Sequence, residues 1–235
     1  MDWWYSSAIA ICTLVLYNYY FLFALERINL LKWLKTNRPV LLIGMIVTLL
    51  TIFFWRLRLT SIFFLFVAFL LCLLYFKPNL LHAKSLRENS WLKFFLISIV
   101  FSIVTQVIPL LQINIDWTEL LALGLSRVFF IAAIAITFDI GDLFEDISAA
   151  TPTLPALHGS LVTKVFASLF LFFSAIIESY FVWNYLLDFP SYMALMITYI
   201  FTWILIMRST KYKSKYFYLF GLDGMLGLPF IISQL

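Results

Sequence analysis

Apolar residues run in long blocks along this chain, separated by short polar segments. Eight blocks stand out, at roughly 4–25, 40–55, 61–76, 93–111, 118–138, 161–183, 191–207 and 216–234. A membrane-crossing helix needs about 20 mostly apolar residues. The pattern therefore predicts an all-α bundle of about eight transmembrane helices. The second and third blocks are short and joined only by residues 56–60, which reads as a tight hairpin. Pro109 and Pro190 fall at or near block ends, where a missing backbone donor costs least. No linker or low-complexity tract interrupts the blocks, so residues 1–235 are expected to form one integral membrane domain.

Composition agrees with this class. The chain is 64% hydrophobic and 12% charged, with a mean hydropathy of +1.01. A soluble domain is roughly half apolar and a quarter charged. The first block has no basic start and no small-residue cleavage site, so it reads as a retained helix rather than a cleaved signal. Cys12 and Cys72 lie inside apolar blocks and fit small buried hydrophobes. His82 and His158 lack metal-motif spacing, and the chain has no phosphate-binding glycine loop.

The basic residues supply an orientation. Arg27, Lys32, Lys35, Arg38, Lys77, Lys84, Arg87, Lys93, Lys164, Arg208, Lys211, Lys213 and Lys215 fall on one side of an eight-span topology. Only Arg56 and Arg58 fall on the other. Positively charged loops stay inside. The expected localisation is the inner (cytoplasmic) membrane, multi-pass, with both termini outside. The same charges attract anionic membrane lipid, and no nucleic-acid partner is expected.

One polar stretch is chemically specific: FDIGDLFEDISAATPTLPALHG, Phe138 to Gly159. Asp139, Asp142, Glu145 and Asp146 crowd the end of an apolar block. Offsets of three and seven place Asp139, Asp142 and Asp146 on one face of a helix. Carboxylates so placed repel one another unless a cation lies between them, and oxygen ligands suit Mg²⁺. A solvated acidic loop is the plainer alternative.

This stretch resembles the second aspartate motif of UbiA-type membrane prenyltransferases. Asp139, Asp142 and Asp146 match its D-x-x-D-x-x-x-D positions, Thr153-Leu154-Pro155 its second element, and Gly159 its glycine. Asn37-Arg38-Pro39, the basic stretch Tyr75 to Lys93, and Asp223-Gly224 are similar to weaker features of the family. The resemblance implies a helical ring around a central cavity. It also implies Mg²⁺ as cofactor, with a polyprenyl diphosphate and a lipophilic acceptor as substrates. Metal would be held by Asp139, Asp142 and Asp146, with Asn18 and Glu26 as remnants of the family's first motif. Arg38, Lys84 and Arg87 would contact the diphosphate. The first motif is degenerate, because Tyr19 and Leu22 stand where the family has aspartates, and the family's first helix has no counterpart. A second reading follows: a catalytically degenerate fold kept as a lipid-binding or scaffolding subunit with membrane-protein partners.

Arg127, Glu178 and Asp223 lie inside apolar blocks. Ionisable groups there are costly and should face the protein interior, paired or wet. An ion pair of Arg127 with Glu178 or Asp223 is expected, either as a lock between helices or as part of a pocket.

Overall fold

The computed structural model describes residues 58–76, 90–113, 115–148, 151–183 and 189–228. The chain divides into units Met1–Phe64 and Leu65–Leu235. In the first, only 58–64 are described, and they open helix α1 (Leu59–Phe76). The expected blocks 4–25 and 40–55 lie outside the described residues.

Among the described residues, all regular structure is helical. After α1 come α2 (Ser90–Ser102), a π-helical turn (Ile103–Val107), α3 (Ile108–Gln112), α4 (Trp117–Gly141) and α5 (Leu143–Ser148). They are followed by α6 (Leu154–Trp183), α7 (Phe189–Arg208), a second π-helical turn (Phe217–Leu222) and a 3₁₀ turn (Asp223–Leu226). The blocks expected at 61–76, 93–111, 118–138, 161–183 and 191–207 each fall within helix. Among the described residues three helical stretches are long and apolar enough to cross a membrane: Leu92–Gln112, Trp117–Gly141 and Leu154–Phe181. Leu59–Leu71, Tyr192–Arg208 and Phe217–Leu226 are apolar but shorter.

Local chemistry explains the breaks. Pro109 has no N–H to offer the carbonyl four residues back, and the π turn ends immediately before α3. Asp116 is extended at the start of α4, and its carbonyl accepts the Leu120 N–H at 2.9 Å. Gly159 interrupts α6 at φ +83°, a conformation that costs other residues a Cβ clash.

Helix α4 is the central element. It packs most extensively against α6 and then α2. Small residues allow this approach: Ala132 and Ala133 are fully buried, and a Cβ on Gly124 would meet Val107 Cγ2 at 3.0 Å. Ser102 Oγ donates to the Gly124 carbonyl at 2.6 Å across the same contact. Around α4 the core gathers Phe94, Phe130, Ile136, Ala167, Leu171, Tyr199, Ile206 and Tyr218. The outer face of α6 is different. Leu161, Val165, Leu169, Phe172, Ile176 and Tyr180 form an exposed stripe at helical spacing, as a lipid-facing surface requires. Buried hydroxyls return their protons to carbonyls one turn back, as Thr137 does to Ala133 and Thr198 to Ala194. Each such bond satisfies its hydroxyl inside an apolar bundle.

Candidate functional site

The acidic stretch sits where α4 stops. The expectation of one continuous helical face is corrected here. Helix α4 ends at Gly141, Asp142 leaves helical geometry (φ −90°, ψ 6°), and Asp146 belongs to the separate short helix α5. The carboxylates still influence one another through space, and the Asp146 N–H bonds the Asp142 carbonyl at 2.9 Å to open α5 directly after the break. Tyr218 covers this junction. Its ring lies so close to Gly141 that a Cβ there would come within 2.7 Å, and its hydroxyl donates to the Thr210 carbonyl.

Lysines from distant elements answer the charge. Lys93, near the start of α2, donates to Asp139 Oδ1 at 2.6 Å, a short charge-assisted bond. Asp139 is 3% exposed. Lys215 donates to Glu145 Oε1 at 2.9 Å on the surface, where both side chains are mostly exposed. Glu145 is thus a rim residue. Burial pushes the Asp142 carboxyl up, and the Glu145 and Asp146 carboxylates push the same way against Lys93 and Lys215. The Lys215 ammonium is held up by its bond to Glu145.

The oxygens left over bear on the Mg²⁺ expectation. Among the described residues four buried side-chain atoms lack a hydrogen-bond partner, and three belong to this stretch: Asp139 Oδ2, Asp146 Oδ2 and Thr153 Oγ1. All three are hard oxygen donors. Among the described residues no group of three or more His, Cys, Asp or Glu forms a metal cage. Mg²⁺ does not need one. It commonly takes one or two protein carboxylates and fills its octahedron with water and substrate phosphate. The residues therefore fit a cation shared with a phosphate ligand, not one enclosed by protein. Asn18, Glu26, Arg38, Lys84 and Arg87 lie outside the described residues.

A second polar cluster occupies the middle of α4. Ser126 Oγ donates to Glu178 Oε1 at 2.9 Å and lies 3.0 Å from Ser174 Oγ; Ser174 Oγ lies 2.9 Å from the Tyr199 hydroxyl. The chain of hydroxyls links α4, α6 and α7. The expected ion pair is not what satisfies these groups. Arg127 and Glu178 feel each other through space, but Arg127 instead donates to the Leu226 carbonyl at 3.3 Å and lies over the Phe130 ring at 5.4 Å. Its Nε is the fourth partnerless buried atom. Asp223 is half-buried at the head of the 3₁₀ turn and forms no ion pair among the described residues. Sequence reasoning treated Lys93 only as loop charge and did not single out Ser126, Ser174 or Tyr199. The signal available for Lys93 was its position at the first residue of an apolar block, where a cation needs a partner.

No family model, curated protein or solved structure matches this chain.

Proposed function

We propose that this chain is a UbiA-like integral membrane prenyltransferase, transferring a polyprenyl group from its diphosphate to a lipophilic acceptor with Mg²⁺. The observation that carries the reading is the end of α4. There Asp139, buried and bonded to Lys93, keeps one oxygen without a partner, as do Asp146 and Thr153 within the stretch that resembles the family motif. Such a place accepts a cation and the anion that comes with it. Eight spans arranged as a ring, with this stretch on the cytoplasmic side of the inner membrane and both termini outside, complete the proposal.

Each residue then has a task. Asp139, Asp142 and Asp146 would hold the metal, which supplies charge stabilisation to the departing diphosphate. Lys215 draws the anion toward the rim, and Arg38, Lys84 and Arg87 are the further candidates for diphosphate contact. The allylic carbon–oxygen bond breaks with its electron pair going to the diphosphate. The acceptor then supplies an electron pair to the carbocation and releases a proton. Apolar walls would be needed to keep water from the carbocation. The assay is purified protein with labelled geranylgeranyl diphosphate, Mg²⁺ and a membrane lipid extract. Product that disappears in Asp139→Ala establishes transfer.

One observation favours the second reading, a degenerate fold acting as a lipid-binding or scaffolding subunit. Lys93 already neutralises Asp139 at 2.6 Å, and the sequence lacks the first-motif aspartates at Tyr19 and Leu22. Absence of product, together with co-purification in fixed ratio with other membrane proteins, decides for that alternative.

A further inference from the structure

We infer that Lys93 is the resident counter-ion of the acidic cluster, exchanging Asp139 for a diphosphate when Mg²⁺ enters. The inference rests on the proposed diphosphate-binding role and names the residue that couples metal entry to anion binding. Three features carry it. Asp139 is almost completely buried, yet only its Oδ1 is engaged, by Lys93 at 2.6 Å, while Oδ2 is left without a partner. Asp146, from the next short helix, contributes a second buried and partnerless carboxylate oxygen, and its charge acts on Asp139. The Lys93 side chain is 20% exposed against 4% for Asp139, so the lysine lies on the open side of the pair and the carboxylate on the closed side.

Electrostatics then sets the sequence of events. A buried carboxylate without a counter-charge is costly, so its charged form is favoured only while a cation lies beside it. An ammonium is a point charge on a flexible four-carbon stem, and it can leave without disturbing the backbone. Asp139 Oδ2 and Asp146 Oδ2, which have no hydrogen-bond partner, would be the oxygens to hold a divalent ion, which would supply twice the charge of the lysine. Lys93 would then be surplus at Asp139 and would serve as a cation for a phosphate-bearing ligand. Lys93 is thus a competitor for the metal alone and an ally of the metal with its diphosphate. These two roles predict opposite signs.

The test uses full-length protein in detergent or nanodiscs, with Mg²⁺ alone and Mg²⁺ plus inorganic pyrophosphate as probes, read by calorimetry and thermal shift. Lys93→Gln should tighten Mg²⁺ binding on the order of ten-fold, since a positive charge leaves the site. It should weaken pyrophosphate binding in saturating Mg²⁺ by a similar factor. Wild type that binds both probes, with Lys93→Gln changing neither or changing both in the same direction, overturns the inference and leaves the functional reading standing. Wild type that binds neither probe overturns both. Should Lys93→Gln fail to fold, the near-isosteric Asp139→Asn serves instead. It removes the carboxylate that Lys93 bonds, so it should lose Mg²⁺ binding but gain Mg²⁺-free pyrophosphate binding several-fold, and Asp139→Asn/Lys93→Gln should not. No gain in Asp139→Asn overturns the inference.

Discussion

Helix α4 carries two polar clusters, one around Ser126 and one around Asp139, about 20 Å apart along its axis. They are built in opposite ways. At Ser126, hydroxyls from three helices and the Glu178 carboxylate satisfy one another in a chain of bonds between 2.9 and 3.0 Å. At Asp139 a single lysine meets one oxygen, and three oxygens of the stretch are left over. Polar groups that close on themselves join helices, whereas polar groups left open in a buried place still need a partner, a water molecule or an ion. Arg127 stands between the two cases, with a carbonyl and a ring for company and one donor unused.

The contrast can be broken most directly at Lys93. Lys93→Met strands the buried Asp139 charge and should cost about 3 kcal/mol in the absence of metal, measured by denaturant unfolding in detergent micelles. The double variant Lys93→Met/Asp139→Leu should recover most of that loss. If the single variant is as stable as wild type, the pair does not hold the helix end, and the open cluster is no more than a solvated loop.

The next effect separates members of the acidic stretch. A ligand present at a hundred times its dissociation constant stabilises the folded state by about 2.7 kcal/mol. Asp142→Asn should remove a shift of that kind with Mg²⁺ and pyrophosphate. Glu145→Gln should keep it, because Glu145 sits at the rim on Lys215. Equal thermal shifts in the two variants would remove the distinction between the buried carboxylates and the rim.

A smaller effect tests the closed cluster. Ser174→Ala takes a partner from both Ser126 and Tyr199 and should cost about 1–2 kcal/mol, with no change in the Mg²⁺ response. A changed response would mean that the two clusters are coupled along α4. The smallest effect is at the surface. Lys215→Ala should lower stability by less than about 1 kcal/mol, since exposed ion pairs are screened and entropically costly. Raising the salt concentration should erase even that difference.

How much of this was legible beforehand can be argued residue by residue. Apolar blocks located the helices at 118–138 and 161–183, because the hydrophobic run is itself the physical cause of a long apolar helix. Helix ends were less legible. The assumption that α4 continued through Asp146 failed at Gly141 and Asp142, where the Tyr218 ring leaves no room for a Cβ and the backbone turns away. The chain order marks Gly141 but says nothing of the ring that lies upon it.

The sequence by itself determined a helical chain with stretches apolar enough for a membrane, and the concentration of carboxylates between Asp139 and Asp146. These follow from local composition and spacing along one strand of chain. Tertiary structure alone decided who answers those charges. Lys93 is 46 residues from Asp139, Ser126 is 48 from Ser174 and 52 from Glu178, and Lys215 is 70 from Glu145. The buried pairings depend on the rotation and depth of helices packed side by side, an approach that small residues such as Gly124, Ala132 and Ala133 allow. A hydrogen bond of about 3 Å tolerates little error in either. That geometry is a property of the packed bundle and is not written at any single position of the chain.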